Sequence, residues 1–325
     1  MKRILAVLLA VLLGMGMFIQ VSAAEHASTD ALTALLRRWG NNISVYYENI
    51  NTGFVFRHNA TRQYFGASVS KAVLGLMIAQ MADRGEVNLN HTLALRESHR
   101  VGGIGTIQHN FYVGRRFTVR ELLRLMPTIS DNVATLVLTD FVGINNYRNF
   151  VRSLGGNPAL VRDRVMNSQL TANEVGLFAR AIHHYLESGS RHSAELRSHL
   201  RGNQFMLLGH LGAAYPMASR TGWTRDVGGS AGVVHDMAIV YAPGNPFILV
   251  VMTANRRHYM DWRNTGHNAQ NFRDFNEILR AFEQFNRGLQ QQSSAGDVLL
   301  SPFRATRDVL QQAIDVPRRW LRAFE

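Results

Sequence analysis

The chain has 325 residues, with 35 Lys and Arg against 23 Asp and Glu, and no cysteine. That length suits one large domain or two interleaved ones with ample core. Without cysteine, disulfides, thiolate-bound metals and lipid attached through a thiol are excluded.

Met1 to Ala23 combines Lys2-Arg3, an apolar stretch from Ile4 to Ile19 and the small-residue site Val21-Ser22-Ala23. This predicts a secretory signal over residues 1–23 and an exported protein, periplasmic or extracellular. An uncleaved membrane anchor is the competing reading; Gly14 and Gly16 interrupt the apolar stretch and count against it. Loss of Lys2 and Arg3 takes the formal charge from +12 to +10. A basic protein outside the cytoplasm meets anionic cell wall or lipid headgroups, so no nucleic-acid partner is expected.

Apolar spacing at Leu32, Leu35 and Leu36 predicts a first helix from Thr29 to Trp39. Ile43 to Tyr47 alternates like a strand, Glu48 to Gly53 supplies a turn, and Phe54-Val55-Phe56 reads as the returning strand of a hairpin. A helix follows from Ser68 to near Arg84, stopped at Gly85. Gly102-Gly103-Ile104-Gly105 has no strand before it and no helix after it, so it is no dinucleotide fingerprint. Phe117 to Pro127 predicts a helix with Thr118 as N-cap and Glu121 completing a capping box. Ser130-Asp131-Asn132 opens an apolar helix, and further helices fit Asn145 to Leu154, Thr171 to Glu187 and Ser193 to Leu200. Strand texture returns at Ala218 to Trp223, Asp236 to Tyr241 and Phe247 to Thr253, before a last amphipathic helix from Phe272 to Phe285. The expected fold class is α/β of the α+β kind. A mostly antiparallel sheet built from both chain ends is flanked by helices, with an all-helical region inserted.

Lysine occurs only at Lys2 and Lys71; every other permanent cation is arginine. Arginine stays protonated at any working pH, whereas a desolvated lysine amine can lose its proton and act as a base. Ser68 precedes Lys71 by three residues, one helical turn away on the same face. A serine at a helix start with an amine one turn later is a nucleophile beside its base. The plainer reading is an N-cap serine and a snorkelling lysine.

Three short motifs occur in order: Ser68-Val69-Ser70-Lys71, Ser130-Asp131-Asn132 and Arg220-Thr221-Gly222. Together they resemble the active-site set of the penicillin-recognising serine hydrolases, closest to class A β-lactamases. The likeness extends to Gly103-x-Gly105-Thr106-Ile107, Phe117-Thr118-Val119, Arg220-Thr221-Gly222-Trp223 and Ala238-Ile239-Val240-Tyr241, covering roughly Glu25 to Asn286. The resemblance implies a β-lactamase/transpeptidase-like fold and a catalytic set of Ser68, Lys71 and Ser130. In it Ser68 attacks the amide carbonyl, Lys71 takes its proton, and Ser130 relays a proton to the leaving nitrogen. It also implies that Asn132 binds the substrate's side-chain amide. Arg220, Thr221 and Gly222 would bind its carboxylate and backbone, and Trp223 with Ser68 would form the oxyanion hole. No cofactor or metal is implied; the partner is a small-molecule β-lactam or a peptidoglycan stem peptide.

Two departures stand out. Arg220 occupies a position where the family usually has lysine, and it supplies the same cation. The family's Glu-x-x-Leu-Asn loop, whose glutamate activates water to free the acyl-enzyme, has no glutamate here. The region reads Leu160-Val161-Arg162-Asp163-Arg164-Val165-Met166-Asn167-Ser168-Gln169-Leu170-Thr171. Asp163 is its only acid and is expected to form an ion pair with Arg162 or Arg164. Three functions therefore stay open: a β-lactamase with slow release, a D-Ala-D-Ala carboxypeptidase or transpeptidase, and a non-catalytic wall-binding module.

The domain expectation is a signal over 1–23 and a catalytic domain over 24–288, with sheet parts 24–60 and 212–288 and a helical part 61–211. A linker and tail over 289–325 follow. The tail places Phe303, Leu310, Ile314, Trp320, Leu321 and Phe324 among arginines, a pattern that suits contact with a membrane face or cell wall. The 13 histidines show no metal-ligand spacing.

Overall fold

The computed structural model describes residues 29–209, 213–224, 232–254 and 272–291. Residues 1–23, read above as a signal, and the tail beyond residue 291 lie outside the described residues. The chain divides into two units, of which residues 31–282 carry the sheet, the helices and the site. The described part of the other unit is 29–30 and 283–291, the outer ends of the first and last helices.

Helix α1 spans 29–37. Strand β1 (Ile43–Asn49) pairs antiparallel with β2 (Val55–His58) through a short turn. A three-residue strand β3 (Gln63–Phe65) then leads into helix α2 (Ser70–Asp83). Next come β4 (Thr92–Ala94) and β5 (Arg116–Thr118), paired with each other. Helices α3 (Val119–Thr128), α4 (Asn132–Val142) and α5 (Ile144–Ser153) follow. Strand β6 (Gln169–Thr171) returns to pair with β3, ahead of α6 (Ala172–Glu187) and α7 (Ser193–Arg201). Strands β7 (Met217–Thr224), β8 (Val233–Val240) and β9 (Phe247–Ala254) complete the sheet, and α8 spans 272–291. The five-stranded order is β2-β1-β9-β8-β7, antiparallel throughout, so the N-terminal hairpin joins the C-terminal strands at β9.

Local chemistry explains the boundaries. Thr118 and Glu121 form a reciprocal capping box on α3, and Thr171 with Glu174 repeats it on α6. Helix α3 runs through Pro127 to Thr128, slightly past the expected stop, because a proline in a final turn forfeits one N–H bond without ending the helix there. The ribbons β3–β6 and β4–β5 were not expected; three residues are too few to display alternation.

Helix α2 is the pivot of the core. Its sequence is apolar almost all round, and its only fully buried polar residues are Ser70 and Lys71. It touches α3, α4, α5, α6 and α7. Burying Val73, Leu74, Leu76, Met77 and Ile78 contributes roughly 10 kcal/mol at about 2 kcal/mol each. That exceeds the several kcal/mol needed to hold one ammonium away from water, so α2 can carry Lys71 inside the protein. On the far side of the sheet Phe282 of α8 packs against Tyr47 and Phe56, with ring centroids 5.2 and 5.6 Å away.

Strand β8 carries two consecutive titratable residues, both fully buried. His235 accepts from the Thr253 N–H at Nδ1 and lies 3.0 Å from the Phe65 carbonyl at Nε2, with its ring edge-on to Tyr64. This network ties β8 and β9 to the residue that precedes the Ser68 turn. Burial pushes the imidazole down to about 4 from 6.5. The folded state therefore binds fewer protons than the unfolded chain between those values, and stability falls as pH drops through that window. Burial raises Asp236 to about 7, which acts in the opposite sense, so the comparison must be with a His235 variant. Relative to His235→Gln, the wild-type protein is expected to lose about 3 kcal/mol of stability between pH 6.5 and 4. Urea unfolding at a series of pH values measures it; parallel curves for the two proteins would refute it.

Candidate active site

Ser68 lies in a tight 3-10 turn, Ala67–Val69, that runs directly into α2. Ala67, immediately before it, has φ +48, a left-handed conformation that is strained for a residue with a side chain. The turn is pinned from below: Gly66 donates its N–H to the Ser168 carbonyl at 2.8 Å, and a Cβ at Gly66 would come within 2.7 Å of Leu170. The Ser68 side chain is half-buried and opens onto a cleft of about 440 Å³. Gly103, Ile104 and Asn132 line one side of the cleft, Met166 and Asn167 another, and Trp223 and Thr224 a third.

Lys71 is fully buried one turn along α2. Its Nζ donates to the Ser130 carbonyl at 2.8 Å, to Ser130 Oγ at 3.1 Å and to Asn132 Oδ1 at 2.7 Å. Three acceptors match the three protons of an ammonium. Ser130 presents both its carbonyl and its hydroxyl to the amine from a left-handed conformation, φ +59. Asp131 anchors this corner, accepting the Ala134 N–H as N-cap of α4 and the Thr106 and Ile107 N–H groups from the glycine-rich loop.

Ser130 Oγ is the junction of the site. It donates to Ser68 Oγ at 3.1 Å and accepts from Lys71 and from Arg220 Nη2, the latter at 2.5 Å. A direct contact between Lys71 and Ser68 was the sequence expectation. The structure instead puts the Ser130 hydroxyl between them, because the left-handed turn at Ser130 brings that oxygen to the nitrogen. Burial drives the Lys71 amine well below its ordinary range and Arg220 pushes it further, while Asp131 acts in the other direction. Burial also brings the Arg220 guanidinium down to about 9, partly opposed by Asp236, so it remains charged near neutrality.

Strand β7 has two distinct faces. Arg220 and Gly222 face Ser68. The guanidinium donates to the Ser68 carbonyl at 3.0 Å as well as to Ser130, and a Cβ at Gly222 would lie 2.8 Å from the Ser68 nitrogen. Only glycine permits that approach. Thr221 points the other way. It is fully buried, and its hydroxyl lies against the Phe205 carbonyl at 2.7 Å and Asp236 at 3.1 Å. The structure therefore corrects the placement expected for Thr221, whose hydroxyl sits behind the strand instead of in the cleft. Alternation along a strand puts neighbours on opposite faces. What β7 offers to the cleft is Trp223 and Thr224.

Asp163 also departs from expectation. It makes no ion pair with Arg162 or Arg164 within bonding distance; it is exposed and accepts from Asn167 Nδ2 at 3.1 Å, a bond that lowers its pKa. Asn167 and Met166 were not singled out from the sequence, yet both line the cleft beside Ser68. The signal was present: Asp163-x-x-Met166-Asn167 repeats the spacing of Glu-x-x-Leu-Asn with a shorter acid. Among the described residues no group of three or more His, Asp or Glu is arranged to hold a metal.

A hydroxyl in an open cleft, linked through a second hydroxyl to a buried amine, defines a β-lactamase-like serine hydrolase. The profile of the beta-lactamase enzyme family matches residues 27–274, and the chain belongs to that family. No curated protein gives a match. Among solved structures, a β-lactamase from Sphaerobacter thermophilus DSM 20745 is 24% identical, with TM-score 0.63, covering 80% of this chain and 97% of its own. One from Chitinophaga pinensis DSM 2588 is 17% identical, with TM-score 0.65, covering 79% and 98%. PBP-A is 22% identical, with TM-score 0.64, covering 79% and 96%. Identities this low establish the shared fold.

Lys71→Arg keeps the charge but not the ability to release a proton. It is expected to reduce acylation of Ser68 by at least about 10²-fold, followed by intact-mass spectrometry with a penicillin. Ser130→Ala, which removes the bridging hydroxyl, should cause a loss of the same order while Lys71 stays buried. Normal acylation in the Ser130 variant would show that the amine reaches Ser68 without it.

Proposed function

We propose that this protein is an exported enzyme that opens β-lactam rings through an ester on Ser68 and releases the product slowly. The observation that carries the reading is the chain Ser68 Oγ, Ser130 Oγ, Lys71 Nζ at the edge of the cleft. With Lys71 neutral, the Ser68 proton passes to Ser130 as the Ser130 proton passes to the amine, and Ser68 Oγ attacks the carbonyl carbon. The carbonyl oxygen takes up negative charge beside the Ser68 N–H and the backbone of Gly222-Trp223, where oriented donors favour it. Collapse breaks the C–N bond, and the proton returns from Lys71 through Ser130 to the leaving nitrogen. Hydrolysis of the ester then restores Ser68. Arg220 assists by holding the Ser130 hydroxyl and keeping the amine's proton affinity low.

Release is the weaker half. Asp163 is exposed and one methylene shorter than a glutamate, so a water it activated would sit farther from the ester. A second reading, a D-Ala-D-Ala carboxypeptidase or transpeptidase acting on stem peptides, is favoured by the same loop and by the likeness to PBP-A. A mutant of that protein has been solved as an acyl-enzyme complex with penicillin G. The non-catalytic alternative is disfavoured by the intact hydrogen-bonded set. In this reading the N-terminal 23 residues direct export, and the basic tail makes peripheral contact with a membrane or wall.

Incubation with a penicillin is expected to give a long-lived covalent adduct that Ser68→Ala lacks; no adduct on the wild-type protein would sink the proposal. Asp163→Glu should shorten the adduct's lifetime about tenfold or more, timed by the loss of a fluorescent penicillin. Rapid release of D-Ala from a pentapeptide, together with a persistent penicillin adduct, would select the peptidase reading.

A further inference from the structure

Behind β7 lies a second hydrogen-bond system that the chemistry above does not use. Asp236 on β8 pairs in register with Thr221 and shares its face. One carboxylate oxygen, Oδ2, accepts the N–H groups of Leu207 and Leu208, both at 2.8 Å. The other, Oδ1, is 3.1 Å from Thr221 Oγ, which is itself 2.7 Å from the Phe205 carbonyl. Asn203 donates to Ser219 Oγ at 3.1 Å and reaches Thr221 Oγ at 3.4 Å. The ring of Phe205 meets Trp223 edge-on at 5.2 Å, and Trp223 lines the cleft. Asp236, Thr221 and Arg220 are all fully buried.

We propose that Asp236 is a positioning residue for the acylation step, holding through Thr221, Leu207 and Leu208 the strand and loop that set Arg220, Gly222 and Trp223 against Ser68.

Counting protons shows which form does this. Thr221 has one hydroxyl proton and two oxygen neighbours. If Asp236 is ionised, Thr221 can satisfy the Phe205 carbonyl or the carboxylate, and the other contact sets two lone pairs face to face. If Oδ1 carries a proton, it donates to Thr221, Thr221 donates to Phe205, and Oδ2 still accepts both amides. The Thr221 and Phe205 contacts are then paired as well as the amides, the Met237 N–H being a further donor to the carboxyl. The neutral acid is therefore the form in which no two lone pairs face each other. Burial raises the carboxyl to about 7, against the lowering effect of the N–H and hydroxyl donors. Among the described residues the charged groups around it are few. On β7 there is Arg220, whose charge favours ionisation of Asp236, and on β8 there is His235 on the opposite face. Residues 203–208 and β9 contain no titratable group. On α8, Asn276 donates to the Leu207 carbonyl, Arg273 and Glu277 are exposed, and Asp274 is half-buried. Lys71 and Asp131 lie on the Ser68 side of the strand.

The inference rests on Ser68 being the acylated residue, and its test separates the two. Penicillin acylation rates are measured by intact mass across neutral pH for the full-length protein and for Asp236→Asn, with melting temperatures alongside. The Asn amide repeats the neutral acid's pattern of one acceptor atom and one donor atom. The ratio of variant to wild-type rate is therefore expected to rise about tenfold per pH unit above the titration of Asp236, with no matching change in melting temperature. Taking the ratio cancels the rise that deprotonation of Lys71 imposes on both. If wild-type Ser68 is not acylated, the proposed function fails. If it is acylated while the two folded proteins keep a constant ratio, Asp236 plays only a structural part and the inference fails. Should the variant not fold, infrared difference spectra of the wild-type protein between mildly acid and mildly alkaline buffer decide. A protonated-carboxyl stretch lost on the alkaline side, with acylation falling in step, supports the inference, and its absence overturns it.

Discussion

Two cations, Lys71 and Arg220, are buried completely and share one hydroxyl oxygen, that of Ser130. Placing like charges side by side away from water is unfavourable, and the surrounding structure can be understood as what makes it tolerable. Each cation finds oxygen acceptors of fixed position: for Lys71 the Ser130 carbonyl and Asn132, for Arg220 the carbonyls of Ser68 and Pro127. The Asp131 carboxylate adds a compensating negative charge near the amine. Burial, and after it the repulsion from Arg220 that remains, lowers the amine's hold on its proton, which is the property a base needs at neutral pH.

That constraint accounts for the strained points of the backbone. A left-handed residue at Ser130 brings its carbonyl and its hydroxyl to one nitrogen. Another at Ala67 launches Ser68 from the end of a ribbon strand into the cleft. Gly66 and Gly222 are glycines because neighbouring atoms leave no room for a Cβ. Strain of this kind persists only where the surroundings over-determine it. Here the apolar helix α2 on one side and a five-stranded sheet on the other supply that rigidity.

Legibility differed from residue to residue. The strands of the main sheet and the main helices could be read from strand texture and 3.6-residue spacing, and the capping box at Thr118 marked one helix start. The short ribbons could not, because three residues carry no period. The lone internal lysine drew attention to Lys71, and Ser130-Asp131-Asn132 stood out as a helix opening. Asp163, flanked by two arginines, looked like half of an ion pair; it instead bonds Asn167 four residues on. Phe205 and Asp236 carried no local signal, since their partners are brought near only by the pairing of β7 with β8.

By itself the amino-acid order determined the class of fold and the antiparallel sheet drawn from both ends, which follow from local periodicity. The expected catalytic set came from the resemblance that three ordered motifs bear to a known family. Tertiary structure alone decided that the Ser130 hydroxyl, not a direct contact, joins amine to nucleophile. It also decided that Thr221 turns away from the cleft toward a buried acid. Both depend on distances of about 3 Å between residues far apart in the chain, and such distances are set by how the sheet and helices pack, not by spacing along it.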